Sequence, residues 1–130
     1  MRSEALLLLA LLVPAPVTAA EKLDEADRIA ALPASGPARR CLALPDILET
    51  QPVDGSMLLV REGAARWYRN RLPDHCGILR PTRLIAWRAA QGVVCEGDVF
   101  DVVEPASRMR YGNCLLGPFE PVPYGETEKK

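Results

Sequence analysis

Four cysteines, one histidine and an arginine-rich run containing tryptophan are the residues of this chain whose types and spacing could carry chemistry. Cys41, Cys76, Cys95 and Cys114 lie 35, 19 and 19 positions apart. A dithiol redox site needs a C-x-x-C turn, and that spacing does not occur. A structural zinc site draws its cysteines in close pairs, and these are not close. Two structural disulfides are therefore expected, in one of the three connectivities that four cysteines allow. His75 follows Pro73-Asp74 and precedes Cys76. It has the chemistry of a general base or a metal ligand. One imidazole with no nucleophile motif specifies neither role, and a turn histidine beside a disulfide is the plainer reading. Glu96, Asp98 and Asp101 suggest a cation site by proximity, but they lack the ordered spacing of a calcium loop. Asp98, which follows Gly97, suits a turn in which its carboxylate accepts from backbone N–H groups. No catalytic residue, metal or cofactor is expected.

The strongest functional pattern is Arg66-Trp67-Tyr68-Arg69-Asn70-Arg71-Leu72. Alternate side chains of a strand face opposite ways. Trp67, Arg69 and Arg71 then share one face, and Tyr68, Asn70 and Leu72 the other. Between Leu84 and Arg88, Ile85 and Trp87 share a face. With both tryptophans outward, Arg66, Trp67, Arg69, Arg71 and Trp87 would form an aromatic–arginine platform. Such a platform could hold a glycan, an anionic polymer or a partner protein. With both inward, the tryptophans would be core and the arginines would solubilise the sheet. Seven arginines from Arg61 to Arg88 meet only Glu62 and Asp74, so a local basic face is expected. The net charge of −1 points to neither a nucleic acid nor an anionic membrane.

These residues must be positioned by a small domain behind a secretory leader. Residues 1–20 supply Arg2, the apolar run Ala5–Val13, Pro14 and Pro16, and small residues for cleavage after Ala19 or Ala20. The apolar run is too short to span a bilayer, and no later segment is long enough. The remaining chain, about 110 residues, is one domain's worth. Residues 21–38 read as an exposed lead-in with a short amphipathic helix from Leu23 to Leu32, ended by Pro33. Residues 39–122 read as a disulfide-stapled β domain, and 123–130 as a flexible tail. Strands are expected over Arg40–Leu44, Ser56–Arg61, Arg66–Leu72, Leu84–Ala89, Val93–Cys95, Val99–Glu104 and Cys114–Phe119. Gly, Pro and Asp punctuate them. The fold class is all-β: five to seven short strands in a small barrel or curled antiparallel sheet.

Several motifs run through this domain: Arg40-Cys41-Leu42 with Ile47, and Asp54 before Met57-Leu58-Leu59-Val60. Further along stand Trp67-Tyr68-Arg69-Asn70-Arg71-Leu72, Cys76 with Leu79, Val94-Cys95-Glu96-Gly97-Asp98 and Cys114-Leu115-Leu116-Gly117-Pro118-Phe119. Together they resemble a family of small exported proteobacterial proteins of uncharacterised function. The resemblance implies a leader, a disulfide-bonded β domain and no assigned activity, and it transfers no catalytic residue. With the resemblance and a barrel closed by its first and last strands, the favoured pairing is Cys76–Cys95 with Cys41–Cys114. Loop entropy does not separate it from Cys41–Cys76 with Cys95–Cys114, which differs by about 1 kcal/mol. The function expected is a periplasmic or secreted, non-catalytic binding or structural module of the cell envelope. Its partner would be an envelope protein or glycan. The alternative is a small envelope redox or metal-handling protein using the cysteines or His75.

Overall fold

Short apolar runs cut by Gly, Pro and Asp form nine strands, one α-helix and a three-residue 3-10 turn at Leu44–Asp46 among the residues described by this computed structural model. Those residues are 10–14 and 19–125, with the side chains of 19–24 excepted. Helix α1 spans Ala19–Ala31 and stops two residues before Pro33. The strands are β1 (Cys41–Ala43), β2 (Ile47–Asp54), β3 (Met57–Glu62), β4 (Arg66–Arg71), β5 (Leu84–Trp87), β6 (Val93–Cys95), β7 (Val99–Val103), β8 (Arg110–Leu115) and β9 (Phe119–Val122). All pairings are antiparallel. They make a four-stranded sheet in the order β2-β3-β4-β9, a three-stranded sheet β5-β7-β8 and a two-stranded ribbon β1-β6.

The all-β reading holds, as curled sheets rather than a closed barrel. The expected strand set changes most in two places. Cys114–Phe119 is not one strand: Cys114 and Leu115 end β8, and Phe119 opens β9. Strand β2 is absent from the expected set, because Glu49, Gln51 and Pro52 interrupt its pattern. Pro52 is tolerated there because β2 is an edge strand and its register slips between Pro52 and Asp54.

The four-stranded sheet is buried on both faces. One face presents Leu58, Val60, Tyr68, Asn70 and Phe119 to the main core, where they meet Phe100 and Val102 of β7 and Leu42 and Val94 of the ribbon. The other face presents Met57, Leu59 and Val122 to Ala26 and Ile29 of α1. The segment expected as an exposed lead-in therefore carries a docked helix. Tyr124, assigned to the tail, packs edge-on against Trp67 with ring centroids 4.9 Å apart. The leader expected over 1–20 falls largely outside the described residues, as does the tail from 126 onward. Among the described residues no helix is long and apolar enough to cross a membrane.

The favoured disulfide pairing is corrected. The bonds are Cys41–Cys95 and Cys76–Cys114, the interleaved connectivity. Strand register decides the first. Cys41 stands opposite Cys95 in the ribbon, with Cα atoms 4.0 Å apart. Glu96 N donates to Arg40 O and Leu44 N to Gly92 O, which leaves Cys41 and Cys95 at the non-hydrogen-bonded rung between, where opposed Cα atoms lie closest. The second bond joins Cys76, buried in the main core, to β8. Barrel closure, on which the Cys41–Cys114 pairing depended, does not occur. Two disulfides in a small β domain fit an oxidising environment.

Candidate functional site

Strand β4 is the strand expected to carry a ligand platform, and its alternation is as expected: Tyr68 and Asn70 face the main core, Trp67, Arg69 and Arg71 the opposite side. That opposite side is covered by α1. Arg69 is only 2% exposed. Its Nη1 donates to the carbonyls of Ile29, Ala30 and Leu32 at 2.8, 3.1 and 2.7 Å, and its Nη2 to Glu120 at 3.3 Å. The last carbonyls of a helix have no intrahelical partner, and they lie at the negative end of its dipole. A buried guanidinium satisfies both. Arg71 adds a bond to Ala30 O at 2.7 Å and another to Glu120 at 3.1 Å. Burial pushes the Glu120 carboxyl up, but Arg69 and Arg71 outweigh it and hold it below the usual carboxylate range.

Trp87 does not join Trp67. It lies on the three-stranded sheet, packed toward the main core beside Phe100, with ring centroids 6.5 Å apart. Of the five residues expected to form one platform, the structure keeps only Arg66 and Trp67 together beside open space. Arg69 and Arg71 hold a helix, and Trp87 packs against the core.

The space beside Arg66 and Trp67 is a groove of about 710 Å³ at the end of the β3–β4 hairpin. Its lining includes Ser35, Asp46, Glu62, Arg66, Trp67 and Pro121. The hairpin turn is tied down from beneath. Gly63 N donates to Asp46 O at 2.9 Å, and Arg61 Nη1 to Gly63 O at 2.8 Å. Arg61 is itself held by Glu49 at 3.1 Å. Gln51 and Arg61 hold the Glu49 carboxyl below its ordinary range.

Glu62 is the polar centre of the groove wall. It accepts two bonds from Arg39 at 3.1 Å and one from the hydroxyl of buried Tyr68 at 3.4 Å. Arg66 approaches it at 3.5 Å and keeps 67% of its side chain exposed. Arg39 also donates to the Tyr68 hydroxyl at 3.1 Å, and this bond, with the Glu62 charge, favours the charged guanidinium. The sequence pattern gives Glu62 only the place of a turn residue. Its partner Arg39 lies 23 positions away, so no local pattern announces the cluster.

The other sequence candidates resolve into structure. Asp98 accepts from Cys95 N at 2.7 Å and returns its own N–H to Cys95 O at 3.0 Å. Gly97, at φ +88°, takes the third place of this four-residue turn, where a positive φ is needed. Glu96 approaches Arg40 at 3.8 Å, and Asp101 pairs with Arg88 and Arg110. His75 is exposed, and its ring lies where a side chain on Gly55 would start, Cε1 standing 2.5 Å from that position. Among the described residues no three of His, Cys, Asp and Glu gather as metal ligands do.

Comparison with known proteins adds no name: no family model, no curated protein and no solved structure matches the chain.

Proposed function

We propose that this protein is an exported, non-catalytic binding module of the cell envelope, periplasmic or secreted, and that it takes its ligand in the groove beside Arg66 and Trp67. The observation that carries this reading is the groove's construction: a cleft of about 710 Å³ over a hairpin turn held by Asp46 and Arg61. A turn fixed in advance loses little freedom when a ligand arrives. The lining offers an indole for apolar or sugar faces, the largely exposed Arg66 guanidinium and the Glu62 carboxylate. That mixture suits a glycan or an extended segment of an envelope protein. The test is retention on isolated cell-wall glycan and on solubilised envelope protein. Arg66→Glu and Ala65→Trp should each abolish it with the unfolding midpoint unchanged. Retention equal to that of the unaltered protein would sink the reading.

A second reading, thiol exchange, is favoured by the position of Cys41–Cys95. Leu42 and Val94 face the core from the ribbon, so the Cys41 side of the ladder is the outer one, and Cys41 is exposed. Exposed disulfides exchange more readily than buried ones. Mild treatment with a dithiol should open Cys41–Cys95 first while Cys76–Cys114 persists, as read by alkylation and peptide mapping. Simultaneous loss of both bonds would remove the support for this reading.

A further inference from the structure

The arginine run of residues 61–88 divides between the two sheets. On the four-stranded sheet its members have carboxylate partners: Arg61 has Glu49, Arg66 has Glu62, and Arg69 and Arg71 share Glu120. On the three-stranded sheet the balance is different. The rung Leu84–Val103–Arg110 closes that sheet at the end where the β7–β8 hairpin turns. At this end stand Arg83, Leu84, Arg108, Met109, Arg110 and Tyr111. Among the described residues neither Arg83 nor Arg108 has a carboxylate within ion-pair distance, and Arg110 reaches only Asp101, at 3.6 Å, which Arg88 already holds at 2.8 Å. The one acid of the hairpin tip, Glu104, is turned back onto the N–H and hydroxyl of Ser107. Glu25 of α1 lines the same groove as Arg83 and Leu84.

This cationic end is also the most apolar exposed surface of the β domain. From Cys41 onward the exposed large apolar side chains are Leu48, Leu84, Val93, Met109, Tyr111 and Leu115, and three of these six share this end. Met109 is 70% exposed, flanked in sequence by two arginines. Tyr111 is 45% exposed and lies under the Arg83 guanidinium, which sits 3.7 Å from its ring centroid. Arg108 turns the chain with φ at 62°, and bonds from Arg108 N to Glu104 O and from Glu104 N to Met109 O, both 2.9 Å, close the tip.

We propose that the β7–β8 hairpin end docks on an anionic phospholipid surface, with Met109 and Tyr111 entering the headgroup layer and Arg83, Arg108 and Arg110 meeting lipid phosphates. Arg108 without a carboxylate, Arg110 with a shared one and Arg83 held only by Ile78 O and the Tyr111 ring surround an exposed apolar tip; this matches what such a surface offers, negative charge at the headgroups and apolar depth just beneath. A solvated basic face would account for the arginines but not for Met109 and Leu84 among them. The patch belongs to the other sheet from the groove, so either assignment can fail alone.

The test is co-sedimentation of the purified, disulfide-bonded protein with vesicles of phosphatidylglycerol and phosphatidylcholine, and with phosphatidylcholine vesicles alone. Binding should need the anionic lipid and weaken as salt rises. Arg108→Gln should lower it about fivefold and Arg108→Glu/Arg110→Glu further. Met109→Ser, which alters no packed residue, should weaken it severalfold, whereas Arg66→Glu should leave it unchanged. Any contribution of residues 1–20 is common to all variants. Equal binding to both vesicle types, unchanged binding of Arg108→Gln and Met109→Ser, no binding at all, or retention on a soluble anionic polysaccharide without vesicle binding would each overturn the proposal.

Discussion

On the four-stranded sheet, Arg69 is enclosed by the carbonyls of Ile29 and Ala30 at the end of α1, that of Leu32 just beyond, and a carboxylate, whereas on the three-stranded sheet Arg88 and Arg110 reach for a single carboxylate with much of each side chain in water. The difference lies in what covers each face. Helix α1 lies over one sheet and turns an arginine into a fastener. At the hairpin end of the other sheet α1 shares only a groove with Arg83 and Leu84, and Arg88, Arg108 and Arg110 remain exposed charges. A residue type that looks uniform along the sequence thus serves two purposes, separated by where one short helix docks.

The comparison predicts a graded series of losses. Arg69→Ala removes the buried member of its ion pair with Glu120, which keeps Arg71, and takes the side-chain donor from the Ile29 and Leu32 carbonyls. It should lower stability by about 3 kcal/mol, read by denaturant unfolding. A loss below about 1 kcal/mol would mean that α1 is held by apolar contact alone. The next residue on the strand, Asn70, gives the neutral version of the same device. Its side chain donates to Gly117 O and accepts from Gly117 N, both at 2.8 Å and both buried. A Cβ on Gly117 would fall 1.9 Å from Arg71 O, so the two segments touch at the backbone. Asn70→Ala should cost about 2 kcal/mol by leaving two buried backbone groups unpaired.

The acid limb is the third test. Glu120 and Glu49 are held below their ordinary range in the folded protein. Carboxyls depressed on folding contribute stability that is complete above their unfolded pKa, about 4.3, and is lost as pH falls through the lower folded value. Stability should therefore decline below about pH 5, and Glu120→Gln should flatten part of that decline. An unaltered slope would argue that the Arg69–Glu120 contact carries no net energy. The smallest effect belongs to the open sheet. Arg88→Ala breaks a partly exposed pair with Asp101 and should change stability by less than about 1 kcal/mol. A loss approaching that of Arg69→Ala would erase the contrast between the sheets.

The sequence made the strands legible wherever apolar runs met Gly, Pro or Asp. It concealed β2, whose stability comes from pairing with β3 rather than from its own pattern, and the start of β8, written in Arg110, Gly112 and Asn113. The alternation of β4 was readable, but its outward direction was not. Whether Trp67 and Arg69 meet water depends on α1, a segment packed from some 40 positions away. Arg66 and Trp67 were found as candidates for a simple reason, that they are adjacent in sequence. Glu62, Arg39 and Asp46 were missed because they meet only through the fold. Pairing of the cysteines escaped for the same reason: loop lengths leave the connectivities nearly equal, and a single ladder rung decides between them.

The interleaved bonds also set how the chain responds to being cut. The loop closed by Cys41–Cys95 and the loop closed by Cys76–Cys114 overlap from Cys76 to Cys95. A single break anywhere between Cys41 and Cys114 leaves both fragments in one covalent molecule, and a break within the overlap leaves them joined twice. The connection between β4 and β5 beyond Cys76, including Arg80 and Arg83, lies in that doubly secured stretch. A protease that nicks the chain after Arg83 would produce a molecule that migrates undivided until a reductant is added. In an environment rich in proteases, the crossing of two bonds turns the first cut into a scar and not a loss.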